Sequence, residues 1–248
     1  MNSEFFTGIV SSSIAQQKRL DILANNLANM NTIGFKKDVP VFDMNLFYSQ
    51  DNDQKIGQDM QLPAVHILLN DYKTDYSSGS FQSTGNPLDV ALGGEGFFQV
   101  ETDRGERYTR CGNFVINQDG VLVTSEGYPV SGTGGEISIS GENVVINSRG
   151  EIFVDGESSG TLKVVIFPNP SHLKKEGNGL YAFLGDKDTI EEGQDTQIKQ
   201  GSLELSNVNA LHEMTRMIDV LRTYEVYQKL IQTLDDISSK SINQVGKV

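Results

Sequence analysis

The side chains able to act as nucleophiles, general bases or metal ligands are few in this chain and poorly grouped. One cysteine, Cys111, and three histidines, His66, His172 and His212, are scattered along it. Cys111 has no second cysteine for an internal disulfide and no neighbouring histidine at metal-ligand or catalytic spacing. It is expected to be a small, buried, apolar side chain. The acidic stretch Asp186, Asp188, Glu191, Glu192 and Asp195 offers the oxygen ligands that calcium prefers, but it lacks a recognised loop pattern and reads as a solvated connection. Gly93-Gly94-Glu95-Gly96 and Gly132-Thr133-Gly134-Gly135 have neither phosphate-loop spacing nor a following helix, and read as turns. An all-β unit with scattered carboxylates could place two acids across a glycosidic bond. Carbohydrate sites usually present exposed aromatics, however, and this chain has no tryptophan. The residues therefore point to no catalytic site, no cofactor, no bound metal and no small-molecule substrate.

Charge and hydropathy narrow the partners. With 20 Lys and Arg against 33 Asp and Glu, the net charge of -13 repels polyanions, so nucleic acid and an anionic membrane are both disfavoured. No apolar run reaches about 18 residues, which argues against direct membrane insertion. The start, Met1-Asn2-Ser3-Glu4, has no basic region, and polar Gln16-Gln17-Lys18-Arg19 interrupts the apolar residues before signal-peptide length. No cleaved signal peptide is expected. At 248 residues the chain can bury a core without disulfides.

The elements that must carry any function lie at the two ends. Phe6, Ile9, Ser13, Gln16, Leu20, Leu23, Leu27 and Met30 step by three and four, the seam of a helix. Asn2 or Ser3 is suited to cap it, and Asn29, Asn31 and Gly34 tolerate the left-handed conformation that ends it near Asn31. The pattern returns at Met217, Val220, Tyr224, Tyr227, Ile231, Leu234, Ser238, Ser241 and Val245, flanked by Leu221, Leu230 and Ile237. A helix over the last forty residues would be roughly 60 Å long and must protrude from a body of this size. Its seam is only partly covered by the N-terminal helix, and other copies are the natural supply of the remaining surface. An ordinary helical hairpin packed on the rest of the chain fits the same periodicity. Polar Ser13, Gln16, Ser238 and Ser241 within the seams weaken an isolated pair but help to fix register.

Between the ends, short apolar runs alternate with turn formers: Leu88 to Leu92, Phe97 to Val100, Phe114 to Ile116, Val121 to Val123, Val144 to Ile146, Ile152 to Val154 and Leu162 to Phe167. Asp119-Gly120 is the clearest hairpin turn. From Lys36 to about Ser83 there is no sustained period, and Pro40 and Pro63 interrupt; this reads as an extended arm with some strand content. The expected fold class is α+β: a helix over 1–35, an arm over 36–83, a central all-β domain over 84–205 and a helix over 206–248, with the end helices paired in coiled-coil fashion.

Three blocks carry a resemblance. They are Leu20-Asp21-Ile22-Leu23-Ala24-Asn25-Asn26-Leu27-Ala28-Asn29 running on to Gly34-Phe35-Lys36; Asn86-Pro87-Leu88-Asp89 with Gly94-Glu95-Gly96-Phe97-Phe98, Tyr108-Thr109-Arg110 and Gly112-Asn113-Phe114; and Ser206-Asn207-Val208-Asn209 with Glu213-Met214, Arg222, Tyr224-Glu225 and Lys229. In this order they resemble the signatures of the flagellar basal-body rod and hook proteins. That resemblance implies a structural, non-enzymatic axial subunit exported by the flagellar type III apparatus. It further implies a place in the rod within the periplasmic space, self-assembly into a tubular drive shaft, and copies of itself and other rod proteins as partners. The short span between Phe35 and Asn86, Thr74-Asp75-Tyr76-Ser77-Ser78-Gly79-Ser80-Phe81, and Tyr227 where distal-rod relatives often carry asparagine make it most like the proximal rod subunit. A distal rod or other hook-basal-body axial protein is the alternative. The expected assembly interface is Phe6, Ile9, Leu20, Leu23, Asn25, Asn26, Leu27, Asn29 and Met30 with Met217, Val220, Leu221, Tyr224, Tyr227, Ile231 and Leu234.

Overall fold

A computed structural model describes residues 3–47, 64–193 and 196–245. The chain forms two compact units. One contains helix α1 (Ser3–Ala28), helix α2 (Ala210–Val245) and a two-stranded sheet of Asp38–Phe47 and Ala64–Thr74. The other comprises Asn29–Lys37 and Thr74–Val208 and is built from short strands.

In the helix unit, α1 and α2 pack side by side and run antiparallel. Gln228 Nε2 donates to Ser13 Oγ at 3.3 Å, and further along Asn26 Nδ2 donates to Glu213 Oε2 at 3.5 Å. Ile9, Ser13, Leu23 and Val220 are buried, together with Ala15, Asn26 and Glu213. Gln16, Leu20, Leu27, Met217, Tyr224, Tyr227, Ile231 and Leu234 are half-buried. The side chains of Phe6, Ser238, Ser241 and Val245, like those of Phe42, Leu46, Phe47 and His66, lie outside the described residues. Asn209 starts α2: its Oδ1 accepts from the His212 N–H at 3.1 Å and its carbonyl from the Glu213 N–H at 3.0 Å, satisfying donors a helix start leaves open. With 36 residues, α2 is about 54 Å long. Among the described residues no helix is long and apolar enough to cross a membrane.

The β unit holds a six-stranded antiparallel sheet. Its order is Leu173–Gly177, Leu180–Phe183, Gly105–Thr109, Phe97–Thr102, Val164–Ile166 and Glu191–Glu192. On one side Phe98, Phe114, Leu122, Val130, Ile137 and Ile152 form the larger apolar cluster; Phe97, Tyr108, Phe167 and Tyr181 form a second, with their rings edge to face. The Asp119-Gly120 turn is present: Gly120 has φ +78°, and Val115–Ile116 pairs with Leu122–Val123 across it. Gly93 to Gly96 link two strands, and Ser131–Gly132 with Gly135–Glu136 make a small hairpin.

Among the described non-glycine residues only Asp155 and Asn178 have positive φ, so Asn29 and Asn31 do not take the left-handed conformation offered to them by their type. Gly34 does, at φ +65°, after a turn in which Thr32 N–H bonds to the Asn29 carbonyl at 3.1 Å. A side chain at Gly34 would bring its Cβ to 2.6 Å from the Arg110 carbonyl carbon, which no other residue type tolerates there.

Candidate assembly interface

The expected interface residues divide by what they touch. Ile9, Leu23 and Val220 fill the seam inside the chain's own helix pair. Asn26 has a more specific duty. Its Nδ2 donates to the Asp38 carbonyl at 2.8 Å while its Oδ1 accepts from the Asp38 N–H at 2.9 Å, so one side chain closes both backbone groups where the two-stranded sheet begins. At 1 % exposure neither bond competes with water. Asn25 next to it is exposed, while Asn29 and Met30 are half-buried in the turn that follows α1. Leu221 is also exposed, and it belongs to a stripe with Leu211, Met214 and Ile218, of which Leu211 is 77 % exposed. These four step by three and four, so they share one face of α2, and that face is not the one turned to α1. Farther along, Val226, Leu230 and Ile237 are exposed as well.

In the β unit, the residues nearest the crossings of the chain between its two units converge on a buried charge cluster. Glu204, 1 % exposed, accepts from Lys36 Nζ at 2.6 Å, from the Gly79 N–H at 2.9 Å and from Arg110 Nη1 at 3.1 Å. Lys36 is equally buried and also donates to the Ser77 carbonyl at 2.9 Å; Arg110 donates to the Gly94 carbonyl at 2.7 Å and lies over the Phe97 ring. Two cations thus share one carboxylate out of water. Burial, and next to it the Arg110 guanidinium, hold the Lys36 ammonium below its ordinary value in spite of Glu204. Burial likewise lowers Arg110. A buried set of this kind contributes little net stability over an apolar filling, but removing its anion leaves uncompensated charge, which typically costs about 3–5 kcal/mol.

Further bonds tie the same segments. The Glu204 carbonyl accepts from the Gly34 N–H at 2.8 Å, and the Asn207 side chain links two irregular segments, accepting from the Lys37 N–H at 2.8 Å and donating to the Asp75 carbonyl at 2.8 Å and to the Ser77 carbonyl at 3.1 Å. Cys111 sits beside this turn, half-buried, its Sγ donating to the Ile33 carbonyl at 3.0 Å, and burial pushes the thiol up to about 11. Among the acidic stretch, Asp186 caps a short turn and Glu191–Glu192 pairs with Val165 and Ile166; Asp195 lies outside the described residues. No group of three or more His, Cys, Asp and Glu among the described residues is placed to hold a metal ion.

Sequence reasoning singled out Lys36, Arg110 and Asn207 only within longer blocks and missed Glu204. A glutamate between Leu203 and Leu205, where alternation puts it on the outer face, gives no warning that both faces are covered. The one available hint is a lone acid between two leucines.

A long antiparallel helix pair with an uncovered apolar stripe, joined to a β unit of short strands, is the architecture of an assembly protein. Three family models match it: "Flagella basal body rod protein" over residues 10–36, "Flagellar hook protein FlgE/F/G D1 domain" over 91–154 and "Flagellar basal body rod FlgEFG protein C-terminal" over 199–245. The flagellar basal-body rod protein FlgF of Caulobacter vibrioides is 32 % identical over 100 % of both chains. The flagellar basal-body rod protein FlgG of Bacillus subtilis is 34 % identical, covering 92 % of this chain and 93 % of its own, and the flagellar hook-basal body complex protein FlhO of the same organism is 30 % identical over 96 % and 97 %. The chain belongs to the flagellar basal-body rod protein family, and is a structural subunit of the rod that assembles with other basal-body proteins.

Proposed function

We propose that this chain is a proximal rod subunit whose helix unit polymerises, pairing in coiled-coil fashion, into the wall of the torque-transmitting shaft. The seam from Ile9 to Met30 and from Met217 to Leu234 makes the building block, and the faces left uncovered meet neighbouring copies and other rod proteins. The observation that carries this is α2 itself: a helix of about 54 Å with Leu211, Met214, Ile218 and Leu221 in water on a face its own partner helix leaves bare. Such a helix serves assembly, because burying that stripe needs another chain. Export through the flagellar type III apparatus without a cleaved signal peptide, a periplasmic position and the lack of enzymatic activity complete the reading. The short span between Phe35 and Asn86, the Thr74 to Phe81 stretch and Tyr227 favour the proximal segment. A distal rod or other hook-basal-body axial subunit is the second reading, and the Bacillus relative named as a hook-basal body complex protein is in keeping with it.

Imaging of basal bodies from a strain deleted for this chain tests the proposal. Rods that stop within the proximal segment, and are restored by the intact chain, support it. Complete proximal rods lacking only the distal part favour the second reading, and complete rods overturn both.

A further inference from the structure

The helix unit carries two similar charged repeats on its outer surface. Lys18 and Asp21 on α1, and Arg222 and Glu225 on α2, are all exposed, and each helix reads base, two residues, acid. Two such repeats laid antiparallel face each other with signs crossed. Lys18 then lies opposite Glu225 and Asp21 opposite Arg222, and both pairs hold at one register, because three steps forward on α1 match three steps back on α2.

The apolar surface fits the same register. On α1, Ile14, Gln17, Asp21, Ala24 and Ala28 step by three and four and are all exposed. With Lys18 opposite Glu225, Ala24 falls between Ile218 and Leu221, and Ala28 between Met214 and Ile218. Large side chains on α2 meet the smallest ones on α1, the complementarity that knobs-into-holes packing needs.

Within one chain this register is absent. Ser13 lies opposite Gln228 and Asn26 opposite Glu213, which puts Lys18 level with Arg222 along the axis rather than with Glu225. A neighbouring copy must be displaced by about three residues along the helix axis, roughly 4.5 Å, before each base meets an acid.

We propose that the Leu211–Leu221 stripe of α2 is covered by the outer face of α1 from a second copy of this chain, staggered by about 4.5 Å, with Lys18–Glu225 and Asp21–Arg222 ion pairs setting the stagger. The contact joins α2 of one copy to α1 of another; made with a different neighbour on each side it is heterologous and repeats along an open helical assembly, so a ladder that stops at the dimer overturns it. It rests on the polymerising role proposed above and adds the partner, the register and the faces.

Basal bodies purified from cells expressing the full chain as Ala24→Cys/Ile218→Cys in a Cys111→Ser background test it by oxidation and denaturing electrophoresis. A ladder of multiples of this chain is expected, absent from either single-cysteine chain. Monomer only, or a covalent adduct with a different protein, overturns the homotypic contact. Charge reversal tests the register separately. Asp21→Arg and Arg222→Asp alone should each lower the ladder about fivefold, the effect of roughly 1 kcal/mol per contact, and the two together should restore it. Failure of the double reversal to restore what the singles lose, or singles without effect, overturns the stagger. If the unsubstituted chain is missing from the purified basal bodies by mass spectrometry, it is the rod assignment that fails instead.

Discussion

Replacing Glu204 by glutamine should damage the β unit far more than replacing Lys36 by methionine, although the two side chains are bonded to each other at 2.6 Å. The reason is charge balance. Lys36 and Arg110 both direct cations at the Glu204 carboxylate, and these three side chains are between 1 and 3 % exposed. Glu204→Gln leaves two buried cations without an anion and turns one amide donor towards existing donors, a loss of about 3–5 kcal/mol. Lys36→Met leaves Glu204 paired with Arg110 and bonded to the Gly79 N–H, a neutral set, and should cost at most about 1.5 kcal/mol. With a urea dependence of about 2 kcal/mol per molar, Glu204→Gln lowers the unfolding midpoint by about 1.5–2.5 M and Lys36→Met by less than about 0.8 M. The double variant should recover part of the Glu204→Gln loss, since only one cation remains unpaired. Hydrogen exchange of a peptide spanning residues 97–110 against urea reads this unit alone. Alkaline pH supplies an independent check. Because the folded chain holds Lys36 below 10.5, the unfolded chain binds more protons just below that pH, and the wild type gains stability relative to Lys36→Met as pH rises through that window. Equal losses in the two single variants, or a double variant no better than Glu204→Gln, would refute the reasoning.

Other substitutions probe separate parts of the chain. Asn26→Ala strands the N–H and carbonyl of Asp38 and should lower helix-unit stability by about 1–3 kcal/mol, with faster exchange of the Asp38 amide; unchanged exchange contradicts the clamp. Gly34→Ala forces a Cβ to 2.6 Å from the Arg110 backbone at φ +65° and should cost more than about 2 kcal/mol, visible as a lower melting temperature; an unaltered melting curve refutes the strain. Since burial raises the Cys111 thiol from 9.0 to about 11, the thiolate is about a hundredfold scarcer at pH 8 than in a free thiol of the unperturbed value. Alkylation should be slowed by that factor and released by denaturant, and labelling at the free-thiol rate in the native chain contradicts it. Leu23→Asp puts a carboxylate where the side chain is 2 % exposed, so it should abolish rod incorporation while the β unit stays folded; normal motility speaks against the seam.

The two helices were legible because their period is local: Ile9, Leu23 and Val220 announce a buried face through spacing alone, although α1 stops at Ala28, short of the expected end near Asn31, because a turn begins at Asn29. The Asp119-Gly120 hairpin was legible for the same reason, since its pairing partners lie within a few residues. The strand order of the six-stranded sheet was not, because Leu180–Phe183 joins Gly105–Thr109 across some seventy residues that leave no pattern in between. Glu204 was missed on similar grounds, its lysine standing 168 residues away. Asn26 was marked within a recognisable block, yet its bonding to Asp38 depends on a turn whose geometry is fixed by Gly34, not by composition. Periodicity also found the seam inside the chain's own pair more readily than the outer stripe of Leu211, Met214, Ile218 and Leu221, because both stripes share one spacing and only the fold tells which is covered.

A density map of intact basal bodies, resolved well enough to trace this chain, tests most directly whether its helix pair builds the rod wall. The account predicts α1 and α2 in the tube, packed against neighbouring copies along the Leu211–Leu221 stripe. Finding that stripe in water, with the chain held in the basal body by its β unit alone, would contradict it.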